Sequence, residues 1–256
     1  MTLRLLVPDA FSGWISDRFE APVLAALFPA MAMNEPIRVD GPLSAVFHYR
    51  VRQVMKYFHL WYPRELSMVD IQSAGFDEAP VRGTSTCACF SGGVDSFYTL
   101  WHHRTETEPV LRYRITHGLF AHGFDIPLDK PDFYEQQAAP YEAMLREQGI
   151  ALIRMRTNVR DILDPFTKWM TTHGAALQMA AHFLAGGART FIIPSTNRFS
   201  LINPPIGSNP ITDPQPASEA LEIIHHGCEA SRIQKVLAIA DWPPAQQHLR
   251  VCFQDH

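Results

Sequence analysis

The sequence predicts an α/β protein with a doubly wound, parallel, five-stranded sheet and a smaller α+β region before it. From residue 86 onward, short apolar runs typical of buried strands alternate with segments of helical periodicity, which is the pattern of a parallel sheet with crossover helices. The first strand-to-helix junction carries two consecutive glycines, Gly92 and Gly93, which allow a tight turn. The chain has 256 residues, 46% of them hydrophobic and 19% charged, so it can bury a full core. We expect an α+β region over residues 1–85 and the parallel sheet over residues 86–256.

The sequence pattern of the N-terminal region predicts two strands, at residues 3–7 and 67–71, and one helix between them. Asp40, Gly41 and Pro42 are typical of a helix start, because the first two can cap and proline suits the first turn. The helix should end at residues 61–63. This region serves substrate recognition, dimerisation or stabilisation of the core, and the sequence leaves these alternatives open.

Predictions for the second region follow the chain. Strands are expected at residues 86–90, 115–122, 150–155, 190–194 and 248–253. Helices are expected at residues 94–103, 132–147, 174–184 and 231–240. Gly149 stands just past a helix end, and Ser231 with Gln234 forms a capping box. Ligands of such a sheet bind at the carboxyl ends of its strands, where residues 91–96, 124–125, 157–158 and 195–197 should gather.

Residues 199–217 contain five prolines and show no periodicity. A loop of this length is typically a lid, a binding loop or a disordered segment. We favour a loop that covers the substrate, because short polar side chains lie along it. The predicted substrate-binding residues are Asn203, Ser208, Asn209 and Asp213.

Residues 91–96 read Ser-Gly-Gly-Val-Asp-Ser and follow a predicted strand. Two glycines bring backbone N–H groups close to a ligand, and the following helix points its positive end at the same place. Asp95 would repel a phosphate unless Mg²⁺ bridged the two groups. The motif lacks the Lys-Ser or Lys-Thr ending of a P-loop. It resembles the signature of the PP-loop ATP pyrophosphatase superfamily.

The resemblance implies ATP and Mg²⁺ as cofactors and assigns roles to several residues. Asp95 would hold the metal. Arg232 and Lys235 are predicted as catalytic from their position, because they lie one turn apart at the start of the last predicted helix and could reach the transferring phosphate or a carboxylate substrate. A solvated helix face explains those two cations equally well. Phe124 and His122 are adenine neighbours by position, although an ordinary packed histidine is the favoured interpretation of His122. The phosphate-binding residues would be Ser91, Gly92, Gly93, Val94, Asp95 and Ser96.

The activity implied by the resemblance is that of an AMP-forming and pyrophosphate-forming ligase. A carboxylate or carbonyl oxygen of a small molecule would be adenylylated and then displaced by a nitrogen nucleophile. Residue 2 is threonine, so an N-terminal-cysteine glutaminase is missing, and ammonia must come free or from a partner protein. One alternative is a sulfurtransferase acting on a nucleobase or tRNA, with persulfide on Cys87, Cys89 or Cys228 and a sulfur-donating partner. A second alternative is an ATP-binding regulatory module.

The stretch from Gly227 to Arg232 and the stretch from Leu249 to Phe253 resemble bacterial proteins related to 7-cyano-7-deazaguanine synthase. Such proteins commonly carry a cysteine-rich, zinc-binding segment after the final predicted strand. We expect this sequence to be either a shortened chain or a variant without that metal, and a homodimer is compatible with either. His225, His226 and Cys228 have a spacing that suits no common metal site.

Composition limits the remaining classes of function. The formal net charge is −4, which weighs against tight sequence-independent binding to nucleic acid. The N-terminal apolar run is too short for a signal peptide, and no run is long enough to cross a bilayer, so we expect a cytoplasmic protein. The four cysteines show no CxxC pair, which fits a reducing compartment.

Overall fold

The computed structural model describes residues 1–201 and 205–250. Its strands are β1 (Leu5–Leu6), β2 (Ile37–Ser44), β3 (Ile71–Asp77), β4 (Ser85–Cys89), β5 (His117–His122), β6 (Ala151–Thr157), β7 (Ala188–Pro194) and β8 (Glu222–His226). Its α-helices are α1 (Glu20–Met33), α2 (Ala45–Trp61), α3 (Val94–His102), α4 (Pro131–Glu147), α5 (Val159–Leu163), α6 (Trp169–Phe183), α7 (Arg232–Ile239) and α8 (Pro243–His248).

A six-stranded, mostly parallel sheet forms the centre of the described part of the chain. Its order is β1-β6-β5-β4-β7-β8, and the edge strand β1 runs antiparallel to β6. Strands β2 and β3 form a separate two-stranded parallel sheet. The predicted α/β class is therefore confirmed.

Alternate residues of the central strand β4 contribute to two cores, one on each face of the sheet. Cys87 is buried in the core that α1, α2 and α6 share. Ala88 is buried in the other core, which α3 and α4 cover. Cys89 packs against the same core as Cys87, as the period of two predicts. Parallel strands are typically covered on both faces in this way.

The fifth parallel strand differs from the prediction. It is β8, Glu222–His226, which pairs with β7, whereas the expected strand at residues 248–253 is not observed in its described part. His248 instead ends α8, because Pro243 and Pro244 begin a helix there, and proline suits the first helical turn. Residues 251–253 lie outside the described residues.

Two predictions in the N-terminal region are also wrong. Asp40, Gly41 and Pro42 lie within β2 rather than at a helix start. The helix α2 begins after Ser44, whose hydroxyl accepts a hydrogen bond from the Phe47 N–H at 2.9 Å. Proline is tolerated there because β2 shifts register between Val39 and Pro42 in a two-stranded sheet. The strand expected at residues 67–71 begins instead at Ile71.

Glu219, just before β8, connects the N-terminal region to the main sheet. Its carboxylate accepts hydrogen bonds from Ser44 Oγ at 2.5 Å, from the Val46 N–H at 3.1 Å and from the Ala79 N–H at 3.2 Å. One side chain thus contacts the end of β2, the start of α2 and the segment after β3. Burial alone would raise the pKa of Glu219, but these hydrogen bonds outweigh burial and lower the pKa below its usual value of 4.5.

We predict that Glu219→Gln lowers the free energy of unfolding at neutral pH by about 1–3 kcal/mol, because hydrogen bonds to a charged group are weakened. A carboxyl group with a lowered folded-state pKa stabilises the fold above its unfolded-state pKa. That stabilisation is lost as the pH falls through the folded-state value. In urea unfolding, the difference between wild type and variant should therefore shrink below pH 4.5. Glu78→Gln, at an exposed neighbour, is the control, and an equal pH dependence of both variants would contradict this role of Glu219.

Candidate functional site

The turn between β4 and α3 contains two glycines with different surroundings. Gly92 has a φ of +76°, a conformation that favours glycine. A Cβ added to Gly92 would lie 1.9 Å from the Tyr141 hydroxyl oxygen. The nearest atom to a Cβ added to Gly93 is Ser91 Oγ, at 3.5 Å. The fold therefore requires a glycine at position 92, whereas Gly93 leaves open space beside the backbone.

The start of α3 offers N–H groups to an anion. The Phe97 N–H donates to the Gly93 carbonyl at 3.0 Å, so the N–H groups of the first turn precede this bond and have no partner within the helix. Ser96 Oγ donates to the Gly93 carbonyl at 2.9 Å. Ser91 and Ser96 both line the adjoining cleft. The N–H groups of the first turn and the positive end of the helix make an anion-binding arrangement, whereas the Ser96 hydroxyl proton is already donated to the Gly93 carbonyl.

The three residues predicted as catalytic form one ion-paired group. Asp95 Oδ1 lies 3.0 Å from Lys235 Nζ, and Asp95 Oδ2 lies 3.2 Å from Arg232 Nη2. They meet because α3 and α7 pack against each other, and Ser231 caps α7 with Gln234 as predicted.

Lys235 is a buried cation rather than part of a solvated helix face. Its side chain is 1% exposed, whereas that of Arg232 is 54% exposed. Lys235 Nζ also donates to the Ser195 carbonyl and lies 5.8 Å from the centre of the Tyr98 ring. A buried ammonium group is costly unless it is paired, and Asp95 and the carbonyl provide that pairing.

Arg250 is a further cation beside the turn at residues 91–96. Its backbone N–H donates to the Gly92 carbonyl at 2.7 Å, and its side chain lines the cleft. Among the described residues, its buried Nη1 has no hydrogen-bond partner. Buried donors are nearly always satisfied, so this N–H marks a place where an anion would complete the site. The sequence did not predict this role of Arg250, because residues 248–253 were expected to form a strand.

A cleft of about 190 Å³ adjoins the loop. Phe124, the predicted adenine neighbour, lies in its wall. Beyond the turn at residues 91–96, the cleft is lined by polar groups of Asp125, His173, Thr196 and Ser208. A mainly apolar wall beside an anion-binding arrangement has the character of a nucleobase pocket. The apolar residues of the wall are Leu119, Phe120, Ala121, Phe124, Ile126, Leu177 and Ile193.

The predicted substrate-binding residues occupy different positions. Ser208 lines the cleft and donates to Asp213 Oδ2 at 2.6 Å. Asp213 is fully buried, and its carboxylate lies 2.7 Å from His225 Nδ1. Asn209 is also buried and accepts backbone hydrogen bonds from the next turn of the same loop. Asn203 lies outside the described residues. Of the described three, Ser208 therefore contacts the cleft, while Asn209 and Asp213 hold the loop in shape.

The loop itself is packed where it is described. The Gly207 N–H donates to the Met170 carbonyl at 2.8 Å. A Cβ added to Gly174 of α6 would lie 1.9 Å from the Gly207 carbonyl oxygen. Such close backbone contact fixes residues 205–217 against α6.

His173 lines the cleft but was not predicted as a site residue. The sequence placed the helix start at residue 174, whereas α6 begins at Trp169 and carries His173 in its second turn. Burial lowers the pKa of His173, so its imidazole is neutral at neutral pH. His173 and Leu177 lie one helical turn apart, and this spacing could have indicated that both belong to the face of α6 that lines the cleft.

Other expected neighbours lie elsewhere. His122 is buried, with Nε2 2.8 Å from the Pro127 carbonyl and its ring stacked on Tyr134, so it is a packed histidine. Thr157 and Asn158 line a different pocket, and Asn158 bonds to the backbone near the N-terminus.

The three cysteines in the described part of the chain, Cys87, Cys89 and Cys228, are free thiols. Cys89 lines the cleft, and Cys87 lies two residues before it on the same face. Burial raises the pKa of both thiols, and it raises that of Cys228 as well. None of the three therefore has the lowered pKa of a reactive cysteine.

The comparisons with known proteins gave no relative for this chain. No protein-family model, curated protein or solved structure matches it significantly. Within residues 1–201 and 205–250, no helix has the length and apolar character needed to span a membrane.

We predict different effects of alanine at the two glycines of the turn, on stability at Gly92 and on ATP binding at Gly93. Gly92→Ala should lower the free energy of unfolding by about 1–3 kcal/mol, because its Cβ meets Tyr141 and its φ is positive. Gly93→Ala should change stability by less than about 1 kcal/mol. It should nevertheless weaken ATP binding by about 10-fold or more, because its methyl group fills the space that a phosphate needs.

Urea unfolding and calorimetric titration with ATP measure the two effects. Binding of ATP to Gly93→Ala with wild-type affinity would contradict an anion site at this turn.

Proposed function

We propose that this protein is an ATP-dependent ligase that forms AMP and pyrophosphate, with the chemistry of the PP-loop ATP pyrophosphatase superfamily. The observation that carries the proposal is the buried Nη1 of Arg250, which has no hydrogen-bond partner among the described residues and belongs to a side chain that lines the cleft next to the turn at residues 91–96. A backbone cradle, a helix N-terminus and an unsatisfied guanidinium group together suit the terminal phosphates of ATP.

The course of the sheet supports this proposal. The chain moves from β4 outward to β5 and β6 and then returns to β7 on the other side. This order describes a doubly wound sheet whose direction of winding reverses at β4. The turn at residues 91–96 follows β4, so it lies at the place where open α/β sheets typically bind ligands.

ATP would lie with its β- and γ-phosphates on the turn at residues 91–96 and its base against the apolar wall of the cleft. Phe124 and Ile193 belong to that wall, and Arg250 lies at the polar end. Because the turn at residues 91–96 would bind the β- and γ-phosphates, the α-phosphorus would face the middle of the cleft. A grip on the leaving pyrophosphate favours attack at that phosphorus.

Asp95 fits the expected role in metal binding. Mg²⁺ in such sites is commonly held by one or two carboxylates together with substrate phosphates. Each Asp95 oxygen has lone-pair capacity beyond its one ion pair. When bound, Mg²⁺ would neutralise charge on the pyrophosphate.

The residues of the chain would position the reactants and stabilise charge. An acceptor oxygen attacks the α-phosphorus, the bond to the bridging oxygen breaks, and pyrophosphate leaves with that electron pair. A nitrogen nucleophile then forms a bond to the activated carbon, and AMP leaves. His173, which burial keeps neutral, is suited to take the proton that the nitrogen loses. No protein nucleophile is needed.

The nitrogen donor would be free ammonia, an amine or a partner protein that supplies ammonia. A sulfurtransferase remains the second candidate because Cys89 lines the cleft. The raised pKa of the Cys89 thiol is unfavourable for a persulfide carrier, because the thiolate is the nucleophile. The free thiols fit a cytoplasmic location.

The test is release of AMP and pyrophosphate from Mg²⁺-ATP across a panel of carboxylates and deazapurines, with ammonium or sulfide. We predict equal amounts of both products, dependent on one acceptor. Arg250→Gln should lower kcat/KM about 100-fold, as loss of one charge-stabilising donor does. Arg146→Gln, at an exposed arginine of α4, is the matched control.

Each alternative gives a different result in this assay. ADP as the product would contradict the proposal, and so would tight ATP binding with no AMP from any acceptor, which would indicate a regulatory module. Sulfide-dependent turnover that Cys89→Ser abolishes would favour the sulfurtransferase. Full turnover of Cys89→Ser would exclude Cys89 as a persulfide carrier.

A further inference from the structure

Three histidines converge on one side of the sheet, away from the cleft. His102 and His103 end α3 and follow it, and His226 ends β8. One ring nitrogen from each lies within 4.8 Å of those of the other two. His102 lies seven residues after Asp95 on α3, which is about 10 Å along a helix axis. The cluster is therefore separate from the phosphate-binding turn.

The hydrogen bonds of two of these rings leave a nitrogen free. His103 Nδ1 lies 3.0 Å from the Tyr113 carbonyl, an acceptor, so Nδ1 carries the proton and Nε2 has a free lone pair. That Nε2 is buried without a hydrogen-bond partner in the described part of the chain. The His103 side chain is only 9% exposed. Packing alone leaves this buried lone pair unexplained.

His226 has a similar arrangement. Its Nδ1 lies 3.0 Å from Thr99 Oγ1, which holds the ring in place. Metal-binding histidines typically use one ring nitrogen for such an oxygen partner and the other for the metal.

We propose that His102, His103 and His226 bind a divalent transition-metal ion of the zinc class. Three imidazoles are a known ligand set for zinc, with a fourth position for water or another ligand. The ion can enter from solvent because His102 is exposed. His225 and Cys228 are not part of this set, since His225 pairs with Asp213.

The bound metal would fasten the end of α3 to β8. The His226 carbonyl accepts a hydrogen bond from the Ser195 N–H at 2.7 Å, and Ser195 in turn binds Lys235. The Tyr98 ring lies 5.8 Å from the His226 ring. The metal would thus join the C-terminal end of α3 to β8, whereas the Asp95 ion pairs join the N-terminal end of α3 to α7.

The test uses the full-length, tag-free protein, freed of metal by a chelator and titrated with Zn²⁺ or Co²⁺ without ATP or Mg²⁺. We expect one equivalent of Co²⁺ to bind with the intense visible bands of a four-coordinate ion. Zn²⁺ should displace it and raise Tm. His102→Asn and His226→Asn should each weaken binding by on the order of 100-fold or more, and Thr99→Val by about 10-fold to 100-fold.

His248→Asn is the matched control and should bind Co²⁺ as wild type does, because His248 lies on α8 outside the cluster. Circular dichroism checks that each variant is folded, and His102→Asn keeps the test decisive because His102 is exposed. Wild-type affinity in folded His102→Asn and His226→Asn, or no stoichiometric binding by the folded wild type, would overturn the proposal. Neither result depends on whether the protein turns over ATP.

Discussion

The Asp95 carboxylate is shared by Lys235 and Arg232, and these two ion pairs connect α3, the helix that follows the turn at residues 91–96, to α7. Lys235 is almost wholly buried, and a buried ammonium is stable only when nearby groups compensate its charge. The Ser195 carbonyl after β7 and the Tyr98 ring of α3 complete its surroundings. Helix α3, the end of β7 and α7 are therefore held together at one charged point, and the turn at residues 91–96 is held with them.

This arrangement leaves the turn with unused capacity for an anion. Tyr141 packs under Gly92 and fixes the backbone, while Gly93 faces open space. The Asp95 carboxylate is paired with the buried lysine. Arg250 lies beside the turn, and its Nη1 donates to no described residue. A triphosphate would satisfy that donor and the first N–H groups of α3 together. The geometry is set before the ligand arrives, which lowers the cost of binding.

The local features of this fold were predictable, because they depend on neighbouring residues. Four parallel strands and their helices lie close to the predicted positions, and the capping box of Ser231 is present. The turn could be identified because six consecutive residues carry its chemistry. The strand β8 was missed because Glu222–His226 is short and shows no clear alternation, so its burial comes from pairing with β7.

The parts of the candidate site that sequence did not predict depend on the path of the whole chain. Arg250 reaches the turn because α8 ends at His248 and the chain passes beside Gly92. The three-histidine cluster joins residues more than 120 positions apart, from 102 to 226, and no spacing rule covers such a distance. Asn209 and Asp213 looked suited to substrate, yet polar groups in a proline-rich loop can equally be used up within the loop.

A crystal structure with Mg²⁺ and the slowly hydrolysed analogue α,β-methylene-ATP tests the central claim most directly. We expect β- and γ-phosphate oxygens at about 3 Å from the N–H groups of residues 93–96 and from Arg250 Nη1. We also expect the base against Phe124 and Ile193. A nucleotide bound outside this cleft, or one whose triphosphate does not contact the turn, would contradict the account.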